Sequence, residues 1–394
     1  MFSSKCLICQ QQTTTYCCHG CSKRFCFDHL TEHREKLEKQ FYELEYRTNL
    51  FLQKLNNQEN FSTIRTKFNM FSEMTLVKLQ KELEQFQQQL SILVQPNAQT
   101  IAGGNGEGYK LNQFAYPYGI CVDQQQQHIY IADHYNHCIL QWQFGQQKGR
   151  VVAGGNGQGN RIDQLNHPTD VIIDENSKSL IISDQGNRRV VRWSLQNPND
   201  KRILIENIEC FGLKMNGNGD LFVSDLKNHA VKRWTKDELG KREQQGTIVA
   251  GGNGRGDRLN QFNCLGFIFI DREDTVYVSD CKNHRVMKWL KGASERIVVA
   301  GGYGRGYSLK ELSSPQGLLV NQFGDVYMTD RKNHRIMYWS LGSNEGRLIA
   351  GGTGRGKQSN QLNFPRALAF DDENNLYVSD CNNQRIQRFL VDKH

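Results

Sequence analysis

The apolar positions of this chain follow two different periods. From about residue 97 onward, short runs rich in β-branched residues alternate with polar positions, and the fullest example is VYVSDCKNHRVMKW at 276–289. The pattern returns as IYIADHYNHCILQW (129–142), LIISDQGNRRVVRW (180–193), LFVSDLKNHAVKRW (221–234), VYMTDRKNHRIMYW (326–339) and LYVSDCNNQRIQRF (376–389). An apolar run, a polar turn and an alternating run ending on an aromatic make a β-hairpin. A further strand precedes each hairpin (QGLLVN at 316–321, RALAFD at 366–371) and another follows it (RIVVAGG at 296–302, RLIAGG at 347–352). The turn aspartates at 133, 184, 225, 280, 330 and 380 recur at a period of about 50 residues, which marks a repeat architecture. Four short strands per repeat, with no helix between repeats, predict an all-β six-bladed β-propeller over 97–394.

Residues 34–95 follow the helical period. No Pro or Gly occurs from Arg34 to Val94. Leu37, Phe41, Leu44, Thr48, Phe51 and Leu55 step alternately by four and three, as do Leu76, Leu79, Leu83, Phe86, Leu90 and Leu93. Between them Phe61, Ile64, Phe68 and Phe71 keep the spacing but shift phase, which points to a stutter or break near Asn56–Asn60. One apolar seam on so long a helix predicts a dimerising coiled coil. A helical hairpin broken at Asn56-Asn57 would bury the same seam within one chain.

Pro96 ends this pattern, and Gln99–Gly104 then matches the fourth strand of a blade although it precedes the first full repeat. The last repeat lacks such a strand, so Gln99–Gly104 is expected to close the ring as the outer strand of blade six. The segments GGNGEG, GGNGQG, GGNGRG, GGYGRG and GGTGRG, beginning at 103, 154, 251, 301 and 351, look like phosphate loops. A phosphate loop opens a helix in a βαβ unit, whereas these lead into another strand, so they read as inter-blade turns. The motif is missing between blades two and three (ILIENIECFG, 203–212), which notches that rim. Trp142, Trp193, Trp234, Trp289, Trp339 and Phe389 share one repeat position and are expected to pack between blades. The repeated Asp reads as a cap for the turn that follows it, its Asn as the left-handed residue, and its His as a turn residue.

The first 33 residues have a third character. Cys6, Cys9, Cys18, Cys21, Cys26, His29 and His33 form closely spaced pairs, with Cys17 and His19 beside them. Pairs two residues apart can clasp Zn²⁺ from one turn, and so short a segment draws its folding energy from metal. The alternative is a set of free thiols on a disordered arm. The spacing resembles the B-box zinc finger of tripartite-motif proteins. That resemblance implies one zinc on Cys6, Cys9, Cys26 and His29 and a second on Cys18, Cys21 and His33. No second His follows His33, so the eighth ligand is open among Glu35, Glu32, His19 and Cys17, or that site is empty.

Composition adds limits. The net charge is +8, too modest for a histone-like tail. No run of 18 apolar residues exists, and MFSSKCLIC lacks a signal-peptide apolar core, so a soluble, cytoplasmic chain with no membrane partner is expected. The sequence Asp-x-x-Asn-His-Arg after a YVSD strand, at 280–285 and 330–335, resembles the NHL repeat. Zinc finger (1–33), coiled coil (34–95) and propeller (97–394) in series resemble the tripartite-motif NHL proteins without their RING. The resemblance implies a propeller that binds RNA or protein through one face.

Strand alternation sends the Asp turns and the Gly loops to that same face. It would collect Arg188, Arg189, Lys227, Arg255, Arg258, Lys282, Arg305, Arg331, Lys332 and Arg355. Arg285, Arg335 and Arg385 could instead stack within their blades. The leading expectation is a zinc-binding, dimeric, non-catalytic scaffold whose basic face takes RNA or an acidic protein. The alternative is a RING-less component of a ubiquitin-ligase pathway, on family likeness alone. An enzyme would need His, Asp or Glu on the innermost strands, and those (GICV, DVII, GLKM, GFIF, GLLV, ALAF) offer Asp170 as their one acidic group.

Overall fold

The computed structural model describes residues 98–123, 125–241, 245–292 and 296–390, together with four short N-terminal strands. The chain divides into two compact units, Met1–Val94 and Gln95–His394. In the first, Ser3–Lys5 pairs antiparallel with Gln12–Thr14, and Tyr16–Cys17 with Arg24–Phe25. The expected zinc ligands (Cys6, Cys9, Cys18, Cys21, Cys26, His29 and His33) and the coiled-coil seam lie outside the described residues.

The second unit is a six-bladed β-propeller of four-stranded antiparallel sheets. Each blade runs from an innermost strand outward in chain order. The innermost strands are Pro117–Asp123, Pro168–Asp174, Cys210–Met215, Leu265–Ile270, Pro315–Val320 and Pro365–Phe370. Blade six takes its outer strand from the other end of the unit. Gln99–Gly103 pairs with Arg385–Leu390, with Ile386 opposite Ala102 and Arg385 opposite Gly103. The expected ring closure is thus present, and Thr100 Oγ1 donates to Gln387 Oε1 at 3.0 Å across it.

The recurring aromatics fill the wedges between radial sheets. Trp289 of blade four packs with Phe222, Val231, Ala250 and Phe262 of the preceding blade and loop. Its ring lies 4.6 Å from that of Phe262. Trp339 meets Tyr277, Val286 and Ala300 in the same way, and Phe389 meets Tyr327 and Ile336. Each Gly loop drops one apolar side chain into the wedge (Phe114, Leu165, Phe262, Leu312, Leu362), and all five are fully buried. The first glycine of each loop is held at positive φ; at Gly301 (φ +67°) a Cβ would meet the His284 carbonyl oxygen at 2.5 Å. Blade three lacks the loop, and a groove of about 800 Å³ lined by Ile203, Ile205, Ile208, Lys232 and Trp234 opens there.

The hairpin turn differs from the sequence expectation. It is a short 3₁₀ turn, as at Cys281–Asn283 and Arg331–Asn333, closed by a left-handed residue. That residue is His284 (φ 55°) or His334 (φ 55°), not the Asn before it. The Asn instead works through its side chain: Asn333 Nδ2 donates to Asp330 Oδ2 and to the Gly306 carbonyl, both at 2.7 Å.

Candidate ligand-binding face

The pairing of Pro315 with Asp330 and of Asp330 with Arg335 puts the start of the innermost strand beside the hairpin turn. The Gly loop arrives at the same end, because Gly302 N–H donates to the His284 carbonyl at 3.1 Å. One face of the ring therefore collects every Asp turn and every Gly loop. The turns Asp271–Thr275 and Asp371–Asn375 lie at the opposite end of their strands.

The six turn aspartates are buried, and a buried charge persists where it is paired and hydrogen-bonded. Asp330 Oδ1 accepts the Ser313 N–H at 2.6 Å, while Oδ2 accepts from Asn333 and from Arg335 Nε at 2.7 Å. Arg335 then donates to the carbonyls of Tyr307, Ser308 and Glu311 at 2.8, 3.0 and 3.0 Å. Arg189, Arg285 and Arg385 repeat this arrangement with Asp184, Asp280 and Asp380. The aspartate thus pins the loop upstream of it; capping of its own turn occurs in blade three, where the Gly loop is missing and Asp225 Oδ1 accepts the Asn228 N–H at 3.3 Å. There Lys232 replaces the arginine, its Nζ 3.1 Å from Asp225 Oδ2. Arg189 is accordingly corrected: its guanidinium is spent on Asp184 and on the carbonyls of Asn160, Arg161 and Gln164, and it offers nothing to a ligand.

The histidines also do more than turn the chain. Nδ1 of His137, His284 and His334 accepts the backbone N–H of His167, Ser314 and Phe364, at 3.1, 3.1 and 3.0 Å. Each bond ties one blade to the start of the next. Gln384 does the same for blade one through Oε1 to the Tyr116 N–H at 2.7 Å. Burial lowers the pKa of all three histidines, which keeps Nδ1 free to accept.

The remaining expected residues separate by exposure. Arg188, Lys227, Arg255, Arg258, Lys282, Arg305, Lys332 and Arg355 are exposed, and Arg331 is half-buried. Light contacts aim two of them: Arg255 Nε donates to Asn263 Oδ1 at 2.9 Å and Arg305 Nε to Ser313 Oγ at 3.3 Å. Arg255 and Lys282 both act on the Cys264 thiol, which its hydrogen bond to the buried Cys281 pulls below its ordinary value. The opposite face carries Asp271, Glu273, Asp371 and Glu373 at its turns.

The central channel is lined below this face by Ile120, Leu213, Ile268, Leu318 and Leu368, with a volume of about 380 Å³. Asp170 is the one carboxylate in that lining, and its two oxygens accept the N–H groups of Val171 and Leu213 at 2.9 and 2.8 Å. Burial pushes its pKa up to about 7.

The innermost runs read from sequence (GICV, DVII, GLKM, GFIF, GLLV, ALAF) start one or two residues inside the observed strands, and the residues ahead of them were not assigned to the face. Tyr118, Phe211, Gln316 and Arg366 occupy the second position of their strands. Tyr118 stacks on His134 at 4.0 Å between ring centroids, and the Arg366 guanidinium lies 3.6 Å above the Tyr118 ring. Alternation within YPYGICV and FPRALAF was the available signal.

The NHL-repeat family profile matches residues 114–142 and 362–389, which run from the Gly-loop plug to the closing aromatic of blades one and six. No curated protein sequence matches the chain. Among solved structures, it is similar to an auxiliary nutrient binding protein from Bacteroides thetaiotaomicron VPI-5482, with 15% identity, 75% of this chain against 76% of that one, and a TM-score of 0.58. A second auxiliary nutrient binding protein, from Bacteroides ovatus ATCC 8483, gives 15% identity, 76% and 78% coverage, and a TM-score of 0.57. A putative phosphatase from Bacteroides thetaiotaomicron VPI-5482 also gives 15% identity and a TM-score of 0.57, over 75% and 79% of the two chains. At this identity the likeness concerns the fold. The chain carries NHL repeats in a six-bladed β-propeller.

Proposed function

We propose that the propeller is a non-catalytic binding module that takes single-stranded RNA on the face formed by its Asp turns and Gly loops. The observation that supports this is a division among the cations of that face. The buried arginines are consumed by Asp–loop networks, whereas Arg255, Arg258, Lys282, Arg305, Lys332 and Arg355 stand exposed around blades four to six. Those loops then hold cations that form no ion pair among the described residues over a surface, and that arrangement suits a phosphate backbone. Asp170, with both oxygens held by backbone N–H groups, is poorly placed to act as a base or metal ligand. The N-terminal residues would add a zinc-dependent finger and a self-associating helix, which the cysteine spacing and the one-sided apolar pattern support. Elemental analysis that found no zinc in the purified chain would remove the finger.

The test of RNA binding is its salt dependence. Each phosphate contact adds roughly one unit of log–log slope. Replacing Lys282, Arg305 and Lys332 together by Glu should weaken binding to an oligouridylate strongly and flatten the slope, with melting unchanged because exposed charges contribute little to folding. An unchanged affinity and slope would make an acidic protein the better ligand.

A further inference from the structure

The axis of the ring is not an open hole at the loop face. Phe211 lies 6.4 Å from Tyr118 and 5.2 Å from Phe267, measured between ring centroids, so aromatics of blades one, three and four meet across the axis. Together with Ile120, Ala367 and Ala369 they form one packed cluster. This cluster is the floor of a shallow mouth, and the two sides of that mouth differ.

On the side of blades five and six stand Arg331 and Arg366. Neither belongs to an ion pair among the described residues. Arg366 donates to Gln316 Oε1 at a long 3.4 Å, and Nε of both arginines is buried without a hydrogen-bond partner. Arg331 otherwise rests over the Phe364 ring at 4.9 Å. Burial, and then the charge of Arg366, lower the pKa of Arg331, so the two guanidiniums repel in a partly dry setting. The four arginines of the loop networks show how this fold treats a buried guanidinium when it is structural: each has its own aspartate. Arg331 and Arg366 are half-buried and have none; Arg366 has only the Tyr118 ring, the Gln316 amide and the Cys381 thiol beside it, and Arg331 the Phe364 ring. Across the mouth, blade three presents Leu226, half-buried and packed on the aromatic floor.

We propose that this mouth binds the free C-terminal carboxylate of a partner polypeptide, with an apolar last residue set against Leu226. A carboxylate matches the forked N–H geometry of two arginines. The closed floor admits a chain end and stops a chain passing through. The apolar wall opposite favours a carboxylate joined to a hydrocarbon side chain over a mid-chain phosphodiester, which has no apolar group beside it. Capture of a C-terminal carboxylate is a recurring mode of peptide recognition. Arg331 shares the Phe364 ring with Arg355, one of the exposed loop cations, so the two readings are told apart by the ligand and by Lys282→Glu rather than by distance.

The experiment titrates the full chain with an N-acetylated pentapeptide ending in leucine, as the free acid and as the amide, by calorimetry. The free acid should bind at least about tenfold more tightly than the amide. Arg331→Gln should abolish that difference while melting holds or rises, because it removes one of two repelling charges. Leu226→Glu should abolish it too, by setting a like charge opposite the site, and it leaves the Tyr118–Arg366 stack intact. Lys282→Glu, on the loop tips, should preserve it. Equal binding of acid and amide, or no binding of either at millimolar peptide, overturns the proposal. So does an oligouridylate that loses about tenfold in affinity on Arg331→Gln while the peptide is indifferent, because the mouth then holds a phosphate.

Discussion

Arg335→Met tests the claim that the turn arginines are structural. Arg335 is the most enclosed of the four, its side chain 2% exposed against 0% for Asp330. Methionine keeps most of the apolar stem and removes the guanidinium. Asp330 Oδ2 would retain Asn333 alone, and the carbonyls of Tyr307, Ser308 and Glu311 would lose their donor. Breaking a buried ion pair from one side costs about 3–5 kcal/mol. Three orphaned carbonyls at about 1–3 kcal/mol each would exceed that if they simply added, but the loop can open to water, so the lower range is the better expectation. That is a large share of a stability of about 5–15 kcal/mol. Urea unfolding of the full chain, followed by tryptophan fluorescence, reads the change. Lys332→Met, exposed and three residues upstream, is the control and should stay within about 0.5 kcal/mol. Adding Asp330→Asn to Arg335→Met should cost less than the sum of the two single changes, because the second removes a charge the first has stranded. A loss under about 1 kcal/mol for Arg335→Met, or strict additivity with Asp330→Asn, would refute the assignment.

Three further outcomes are expected. His334 accepts the Phe364 N–H only when unprotonated and its folded pKa is lowered, so the unfolded chain binds the extra proton and stability should fall as pH drops below about 6.5. His334→Gln, which installs the group that Gln384 already uses, should keep the bond and flatten that part of the acid slope; an unchanged slope in thermal melts contradicts it. Asp170 has a folded pKa raised to about 7, so its contribution is complete below the unfolded carboxylate value and is lost as pH rises through 7. Asp170→Asn should therefore gain on the wild type in melting temperature between pH 5 and pH 8, and parallel profiles would show that the carboxyl titrates normally. Finally, a chain shortened to begin at Leu111 loses Gln99–Gly103 and should melt well below one beginning at Asn97, with equal melting arguing against the closure.

Much of the propeller was legible because its signals repeat. The alternation, the Gly loops and the closing aromatics recur at blade period, and sixfold repetition lets tertiary roles be read from local pattern. Arg189 was legible by the same means and was missed: it stands five residues after its Asp, at the repeat position of Arg285, Arg335 and Arg385, while the exposed Arg188 stands at that of His284 and His334. The strand register agrees, since Arg189 sits opposite Asp184. The aspartates were read as caps because Asp next to a tight turn usually bonds it. Their partners, such as Ser313 for Asp330, are 17 residues away and belong to a loop whose path the sequence does not trace. The axial mouth was illegible for a different reason. Tyr118, Gln316 and Arg366 share a position but not a residue type, so no repeat flags them.

The closing strand also bears on how the ring is made during synthesis. Thr100 and Gln387, which meet across the last seam, are 287 residues apart in the chain. At about 5–20 residues per second of translation, the early strand waits for roughly fifteen seconds to a minute before its partner exists. Through that interval Gln99–Gly103 is a lone strand with unmatched backbone groups, and the growing ring has a bare flank where blade six will stand. Anything that pairs with either, such as a holding chaperone or the same strand of a neighbouring nascent chain, competes with completion of the ring. Two chains translated side by side could exchange these strands, and the product would be a pair of propellers each sealed by the other's leading segment.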